Sequence, residues 1–401
     1  MPSTINTNVS SLTAQRNLSQ SQGSLATSMQ RLSSGLRVNS AKDDAAGLAI
    51  SERMNTQVRG LNVAARNAND GISLSQTAEG ALGKVGDMLQ RMRELAVQSS
   101  NATNSKDDRV ALQAEVSQLR DEIDRVAKTT NFNGAKLLDG SFSAATFQVG
   151  ANSGEAITVA ALTNSSAKGL SEVTYAENTM ATGVTGGQVT GYASEVTGLK
   201  ITVGTTEYDL ADLKAARSGE ERIGQAVEAI NRRTADTGVS AFLTRNEDTG
   251  EYTVALRSSK LDPAAATPTA LGVTTTGFGL TETGIADADL AATSVTKAGI
   301  DNLSVETAED AWLAIKNIDD SIKQVNSTRA TLGAVQSRFE NAVSSIMTQS
   351  ENTAAARGRI VDADFAQETA NLSKSQILQQ AGTAMLSQAN QLPQQVLSLL
   401  R

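Results

Sequence analysis

The chain has 401 residues, a net charge of −8 at pH 7, and neither cysteine nor histidine. Disulfides, thiolate chemistry and imidazole catalysis are therefore excluded, as are most zinc sites. Aromatic residues make up only 3% of the chain. A core must therefore rely on aliphatic side chains, which suits helices packed on helices.

The acidic charge is concentrated in the middle of the sequence. The first acidic residue is Asp43, and most of the acidic excess lies between residues 141 and 300. Because phosphate binding needs a basic face, nucleic acid is not expected as a partner. No apolar run is long enough to span a membrane, so no membrane partner is expected. The first residues also lack the pattern of a secretory signal, which by itself suggests a cytoplasmic protein.

Residues 1–36 carry a thin apolar stripe on a helix that is otherwise rich in Ser, Asn and Gln. The stripe consists of Leu18, Leu25, Met29, Leu32 and Leu36. A helix of this kind is marginal in water, so we expect it to need a partner.

Residues 40–130 have a stronger helical pattern, and a turn at 101–105 divides them into two antiparallel arms. Apolar residues recur there at steps of 3 and 4, which is typical of a coiled-coil seam. They are Leu82, Val85, Leu89, Met92 and Ala96 in the first arm and Leu112, Val116, Leu119, Ile123 and Val126 in the second.

From about residue 132 the sequence pattern changes from one typical of helices to one typical of strands and turns. Residues 132–159 predict a hairpin, whereas 161–198 and 262–300 show no clear element. Between these segments the order hairpin, helix, hairpin predicts a small ββαββ domain over about 199–256. Its helix begins with Ser218 and Glu221, the signature of a capping box.

Helix resumes after Ser304 and is expected to run to about residue 350, with an interruption at 357–359. A last helix is predicted over 362–401, with Met385, Ala389, Leu392, Val396 and Leu399 on one stripe. Two helical ends separated by a different middle imply that the termini come together. We expect the seams of 50–130 and 310–350 to close within one chain, and those of 1–36 and 362–401 to need neighbouring copies.

Two adjacent carboxylate pairs, Asp43-Asp44 and Asp107-Asp108, are the most conspicuous candidates for chemistry. Neighbouring residues on a helix do not share a face, so solvated helix starts are the better interpretation. The sequence has no convincing nucleophile–base pair and no cofactor or metal motif.

Several long strings resemble bacterial flagellin, the subunit of the flagellar filament. The strings are INTNVSSL (5–12), LSSGLRVNSAKDDAAG (32–47), NANDGISLSQTAEG (67–80), LQRMRELAVQS (89–99), FNGAKLLDG (132–140), FQVGAN (147–152), LGAVQSRFEN (332–341) and NQLPQQVLSLLR (390–401). They cover roughly 1–160 and 300–401, and their order makes the resemblance specific.

The resemblance implies a mainly α fold with an α+β middle. Residues 1–44 with 357–401 would form an inner filament-core coiled coil. Residues 45–175 with 300–356 would form a helical second shell with a β-hairpin, and 176–299 a variable outer domain. The chain would be exported unfolded by the flagellar type III system and would polymerise outside the cell into a filament for swimming.

The resemblance also implies partners and site residues. Filament cap and hook-junction proteins would contact the polymer, and an export chaperone would cover the C-terminal helix. Contacts between subunits are expected at Leu18, Leu25, Leu32, Met385, Leu392, Val396 and Leu399. Candidate contacts with the vertebrate innate receptor TLR5 are Arg91, Leu95, Gln98 and Glu115.

Three alternatives remain at this point. The chain is also compatible with a hook–filament junction protein, which likewise pairs terminal helices, and with a helical signalling or adaptor protein. A flagellin carrying an enzyme in its middle is the third, although the absence of histidine excludes a His-Glu-x-x-His metalloprotease.

Overall fold

The computed structural model describes residues 7–179, 183–246, 249–261, 271–285, 287 and 293–399, the side chains of 293 and 392–399 excepted. The helices in these residues are α1 (Val9–Ser34), α2 (Ala45–Ser99), α3 (Lys106–Thr129), α4 (Gly219–Arg232), α5 (Thr234–Thr237), α6 (Leu280–Thr283), α7 (Ala308–Val361) and α8 (Phe365–Leu399).

The strands of the described residues lie between α3 and α7. They are β1 (Asn131–Phe132), β2 (Ala135–Lys136), β3 (Ala145–Gln148), β4 (Ala156–Val159), β5 (Glu172–Thr179), β6 (Lys200–Val203), β7 (Thr206–Asp209), β8 (Val239–Arg245), β9 (Tyr252–Ser258), β10 (Val273–Thr276) and β11 (Thr293–Ala298). The predicted class, mainly α with an α+β middle, is confirmed.

The chain divides into two compact units that are discontinuous in sequence. The first contains residues 1–72, 146–158 and 337–401, and the second contains 73–145 and 159–336. Each is described by itself below.

In the first unit, the early part of α2 packs against the late part of α7. Leu61 and Ala64 are buried together with Ile346. Phe339 is also fully buried, and its ring lies edge-on to that of Phe147 with 5.6 Å between centroids. Gly71 leaves space for the Phe339 ring, because a Cβ at this position would lie 2.6 Å from the ring.

In the second unit, the stripes predicted from steps of 3 and 4 form an aliphatic helical core. Its fully or almost fully buried members include Leu82, Val85, Leu89 and Met92 of α2, Val116 and Ile123 of α3, and Ile318, Val325 and Leu332 of α7. Polar contacts at the margin join the same helices. Arg93 Nε donates to Asp319 Oδ1 at 2.6 Å, and Gln336 Nε2 donates to Glu79 Oε2 at 2.8 Å.

Both adjacent carboxylate pairs lie at helix starts, which confirms the interpretation made from the sequence. Asp44 Oδ1 accepts from the backbone N–H of Gly47 at 2.8 Å, at the start of α2. At the start of α3, Ser105 and Asp108 form a reciprocal capping box. The hydrogen bond from the Ser105 hydroxyl, followed by the one from its backbone N–H, lowers the pKa of the exposed Asp108 carboxyl. The Asp44 carboxylate thus satisfies an N–H group of α2, and the Asp108 carboxylate satisfies the N–H of the N-cap residue of α3.

The described strands from β5 to β11 form two antiparallel sheets rather than one. One sheet has the order β11-β5-β9-β8 and the other β10-β6-β7. Both predicted hairpins, β6–β7 and β8–β9, are present, but each belongs to a different sheet. The expected single ββαββ unit is therefore incomplete, because β5, β10 and β11 come from the segments that showed no clear pattern.

Helix α4 begins as predicted, and its apolar face covers the sheets. Ser218 Oγ accepts from the backbone N–H of Glu221 at 3.2 Å, while the Glu221 carboxylate accepts from the N–H of Arg217. Ile223 and Ile230 are buried with Val254 in one aliphatic cluster.

The predicted interruption at 357–359 is wrong, since α7 continues through these residues to Val361. A single helical glycine costs only about 1 kcal/mol relative to alanine, so Gly358 does not end a helix that is packed elsewhere. The break lies at residues 362–364, where Asp362 pairs with Leu36 as an isolated β-bridge. Helix α7 also begins later than expected, after Thr307, whose hydroxyl caps Asp310.

Among the described residues, no helix is both long enough and apolar enough to cross a membrane.

We predict that Gly71→Ala destabilises the protein although alanine is the better helix former. The new methyl group would displace the Phe339 ring, and overpacking of this kind costs about 1–3 kcal/mol. Gly80→Ala in the same helix meets open space and should stabilise by up to about 1 kcal/mol. Thermal unfolding of the soluble monomer measures both, and equal shifts for the two variants would contradict the packing described.

Candidate functional site

The terminal helices α1 and α8 run antiparallel and are joined by hydrogen bonds at both ends. Asn8 Nδ2 donates to the carbonyl of Ala389 at 2.7 Å, and Ser11 Oγ donates to Asn390 Oδ1 at 2.8 Å. At the other end, Arg31 Nη1 donates to Glu368 Oε1 at 3.1 Å. The two residue numbers of each pair add up to about 400, which defines the register of the pair.

The contact between the two helices is a single coiled-coil seam with steps of 3 and 4. On α1 it consists of Ser11, Ala14, Leu18, Ser21, Leu25, Ser28 and Leu32, all buried or half-buried. On α8 it consists of Glu368, Leu372, Ser375, Gln379, Gly382, Leu386 and Ala389, again all buried or half-buried. Small and polar side chains alternate with leucine, so the seam is narrow and buries little apolar area.

The narrow seam brings the helices close together at Gly382. A Cβ at this position would lie 3.2 Å from Leu18 Cδ1, which is closer than an ordinary van der Waals contact. The absent side chain thus lets a leucine of α1 fill the space.

Backbone hydrogen bonds also join the chain at the end of the pair where α1 stops and α8 begins. Gly35 adopts the left-handed conformation with φ of 73°, which allows the chain to turn. The N–H of Ala363 then donates to the carbonyl of Gly35 at 2.9 Å. The Arg37 guanidinium donates to the carbonyl of Ile360 at 2.7 Å, in the last turn of α7.

The seam leaves large apolar side chains of both helices in solvent. They are Val9, Leu12 and Met29 of α1 and Phe365, Ile377, Leu378 and Met385 of α8. Val9, Leu18, Leu378 and Met385 line a groove of about 510 Å³ along one side of the pair, here called the apolar groove. Contiguous exposed apolar surface in a soluble chain marks an interaction site.

The predicted subunit contacts fall into three groups. Leu18, Leu25 and Leu32 are half-buried on the seam and face α8. Met385 lies off the seam and is 61% exposed. Leu392, Val396 and Leu399 lie outside the described side chains.

The four predicted contacts with the receptor, Arg91, Leu95, Gln98 and Glu115, are here called the receptor strip. A charged cluster between α2 and α3 lies at its centre. Arg91 Nε donates to Glu115 Oε1 at 2.9 Å, and Arg91 Nη1 donates to Glu94 Oε2 at 3.0 Å. The hydrogen bond with Glu94, followed by that with Glu115, raises the pKa of Arg91. Gln98 is exposed one helical turn beyond Leu95. The side chains of Arg91, Gln98 and Glu115 are therefore open to a partner.

Leu95 differs from the other three residues of this strip. It is 1% exposed and belongs to the aliphatic core of α2. While the helices remain packed, it supports the strip from beneath and offers no surface to a partner.

In the part of the chain that the structure describes, no three acidic side chains are grouped closely enough to hold a metal ion.

Family models match both helical ends of the chain. The bacterial flagellin N-terminal helical region matches residues 5–143, and the bacterial flagellin C-terminal helical region matches residues 315–400. Flagellin A of Vibrio cholerae is 44% identical over 399 residues, which is 99% of each chain. The B-type flagellin of Pseudomonas aeruginosa is 38% identical over the full length of both chains.

This chain belongs to the bacterial flagellin family. It is a structural subunit that polymerises into the extracellular flagellar filament, and it is not an enzyme. Among solved structures, FliC of Burkholderia pseudomallei is 26% identical and covers 67% of this chain and 99% of its own, with a TM-score of 0.40. The junction protein FlgL of Legionella pneumophila is 17% identical and covers 78% of this chain and 99% of its own, with a TM-score of 0.41.

Several exposed residues of this flagellin were absent from the predicted set of subunit contacts. Ile377 and Leu378 precede Met385 by eight and seven residues, so the spacing of Leu378 was a usable signal. Leu12 and Met29 lie on α1 but off its seam. Their separation from the leucine stripe becomes clear only once the face that contacts α8 is known.

Proposed function

We propose that α1 and α8 make the contacts that hold neighbouring subunits together in the filament. The observation that carries the proposal is the exposure of Met29, Phe365, Ile377 and Met385 on two helices that pack mainly against each other. Each such side chain gains roughly 1.5–3 kcal/mol when it is removed from water.

The energetics of the pair support assembly. Two helices with a narrow, partly polar seam have little tertiary packing, and helices without packing are marginal in water. Neighbouring copies would bury the outer faces and complete a larger bundle. Contacts that repeat head to tail without closing into a ring produce an open helical filament.

Leucines on and off the seam would have different roles in this arrangement. Leu18, Leu25 and Leu32 orient α1 against α8, and burial of their remaining exposed area by a neighbour adds affinity. Leu378, Met385, Leu392 and Leu399 follow at intervals of seven residues and continue one stripe along α8. Val396 falls on the extension of the α8 seam, seven residues after Ala389.

The domain order of the filament is proposed from the family resemblance. Residues 1–44 with 357–401 would form the inner core, 45–175 with 300–356 the next shell, and 176–299 the outer domain. The acidic excess of the middle supports an outward, solvated position for this part.

Further partners are proposed from the family resemblance. The chain would leave the cell unfolded through the flagellar type III system, with a chaperone on the apolar stripe of α8 beforehand. Cap and hook-junction proteins would then contact the ends of the polymer. Arg91, Gln98 and Glu115 would contact TLR5 in a released monomer, with Leu95 packed beneath them.

We predict that Leu392→Asp abolishes polymerisation while the monomer keeps its helical content. The substitution places a charge on the stripe that neighbours would bury, and an unpaired buried charge is strongly unfavourable. Gln391→Asp adds the same charge one position away, next to the stripe, and is the matched control. Electron microscopy of seeded assembly and circular dichroism measure the two effects. Filaments of normal length from the Leu392→Asp variant would refute the proposed role of α8.

We predict that Arg91→Ala in a soluble monomer reduces the signal of receptor-bearing cells at least tenfold. Loss of the guanidinium removes the charged group that Glu94 and Glu115 hold in place, and truncation of a central arginine often costs about 2 kcal/mol or more of binding. Lys84→Ala, on an exposed position of the same helix, should leave the signal unchanged. Equal responses to both variants would count against the receptor strip.

A further inference from the structure

Methionine is the most readily oxidised type of side chain in this sequence. The chain has eight methionines and no cysteine, so a peroxide reacts first with the thioether sulfur of methionine. Because the oxidant must reach the sulfur, the exposure of each methionine decides where oxidation begins.

The described methionines differ widely in exposure. Met29 of α1 is 54% exposed, Met385 of α8 is 61% exposed, and Met347 of α7 is 63% exposed. Met92, at the other extreme, is fully buried in the aliphatic core of α2. Two of the three exposed methionines among the described side chains therefore lie on the terminal helices, where a peroxide in solution can reach them.

Met29 and Met385 lie on the faces that the proposed assembly buries. Both are off the seam between α1 and α8, and Met385 lines the apolar groove together with Val9 and Leu378. In the register of the pair, Met29 is level with a residue near 371, so the two sulfurs lie roughly 20 Å apart along the helices. Each methionine therefore belongs to a separate part of the contact surface.

Transfer of one oxygen atom changes each of these side chains from apolar to polar. The O–O bond of hydrogen peroxide breaks while an S–O bond forms, the sulfur loses two electrons, and the peroxide is reduced to water. The sulfoxide oxygen accepts hydrogen bonds, which water provides in the free subunit. A neighbour that covers this oxygen removes the water, and burial of a polar group without a partner is unfavourable.

We propose that Met29 and Met385 are oxidation sites that control assembly. A peroxide converts them to sulfoxides in the free subunit, and the oxidised subunit joins the filament poorly. Once neighbouring copies cover the two sulfurs, the filament protects them from the same oxidant. The inference rests on the proposed function and deepens it, because it assigns a chemical modification to two of the residues through which α1 and α8 contact their neighbours.

Seeded assembly of peroxide-treated monomer tests the inference. We expect the critical concentration to rise at least tenfold after treatment, because apolar contacts are lost at two positions. Circular dichroism of the treated monomer should show unchanged helical content, since the two oxidised side chains are exposed and belong to no core. An unchanged critical concentration would overturn the inference, and so would a loss of helical content, because unfolding would then explain the block.

Leucine variants show which sulfurs are responsible, because leucine has a similar volume and cannot be oxidised. For Met29→Leu/Met385→Leu, treatment should change the critical concentration less than twofold. Each variant is compared with its own untreated form, so any effect of leucine on basal assembly cancels. Met347→Leu removes the exposed methionine of α7 and should remain as sensitive as the unaltered chain. A sensitive double variant, or a resistant Met347→Leu variant, would refute the assignment.

Peptide mass spectrometry of treated monomers and filaments separates this inference from the proposed function. We expect Met29 and Met385 to be oxidised at least tenfold more slowly in filaments, while the buried Met92 reacts slowly in both states. Equal rates for Met29 and Met385 in the two states would mean that neighbours do not cover them, and the proposed function would be wrong. Protection in filaments combined with normal assembly of oxidised monomer would overturn only the control of assembly by oxidation.

Discussion

The narrow seam between α1 and α8 is the constraint on which the functional account of this flagellin depends. Leucines alternate there with Ser, Ala and Gly, and a leucine of α1 packs directly over Gly382. Such a seam orients two helices but buries little apolar surface. Its weakness leaves apolar side chains exposed on the outer faces of both helices, and those faces are what a polymer can bury.

The second unit, in contrast to the pair of terminal helices, has well-packed apolar cores. Its three long helices share a dense aliphatic core, and its sheets enclose another. Arg257 ties the sheet to the start of α7, since its guanidinium pairs with both Glu177 and Glu309 and lies over the Tyr175 ring. Because these contacts are all within one chain, this unit does not need a neighbour to bury its core.

Local signals predicted much of this structure. Steps of 3 and 4 located the helical cores, and turn residues located the β6–β7 and β8–β9 hairpins, because each depends on residues close in sequence. The pairing of β5 with β11 joins Glu172 to Ala298, and neither segment has a strong pattern, so no local rule could find it. The end of α7 was misplaced because Gly358 is tolerated in a packed helix, whereas the true break depends on a bridge to Leu36.

In the candidate sites, too, local spacing predicted some features, whereas others depended on contacts between residues distant in sequence. The leucine stripes were visible from their spacing, but their assignment to a seam or to an exposed face required the antiparallel register of α1 and α8. That register also brings Arg31 to Glu368 across 337 residues of sequence. Leu95 was predicted as a surface contact because the family resemblance carried it over together with Arg91, yet the packing of α2 places it in the core.

The central claim is that the terminal helices are incompletely packed in one subunit and are completed by neighbours. Hydrogen–deuterium exchange on soluble monomer and on filaments tests it most directly, since protection reports local opening free energy. We predict fast exchange over 9–34 and 365–391 in the monomer and strong protection of the same amides in the filament, with little change in the helical core of α2, α3 and α7. Equal protection of the terminal helices in both states would contradict the account.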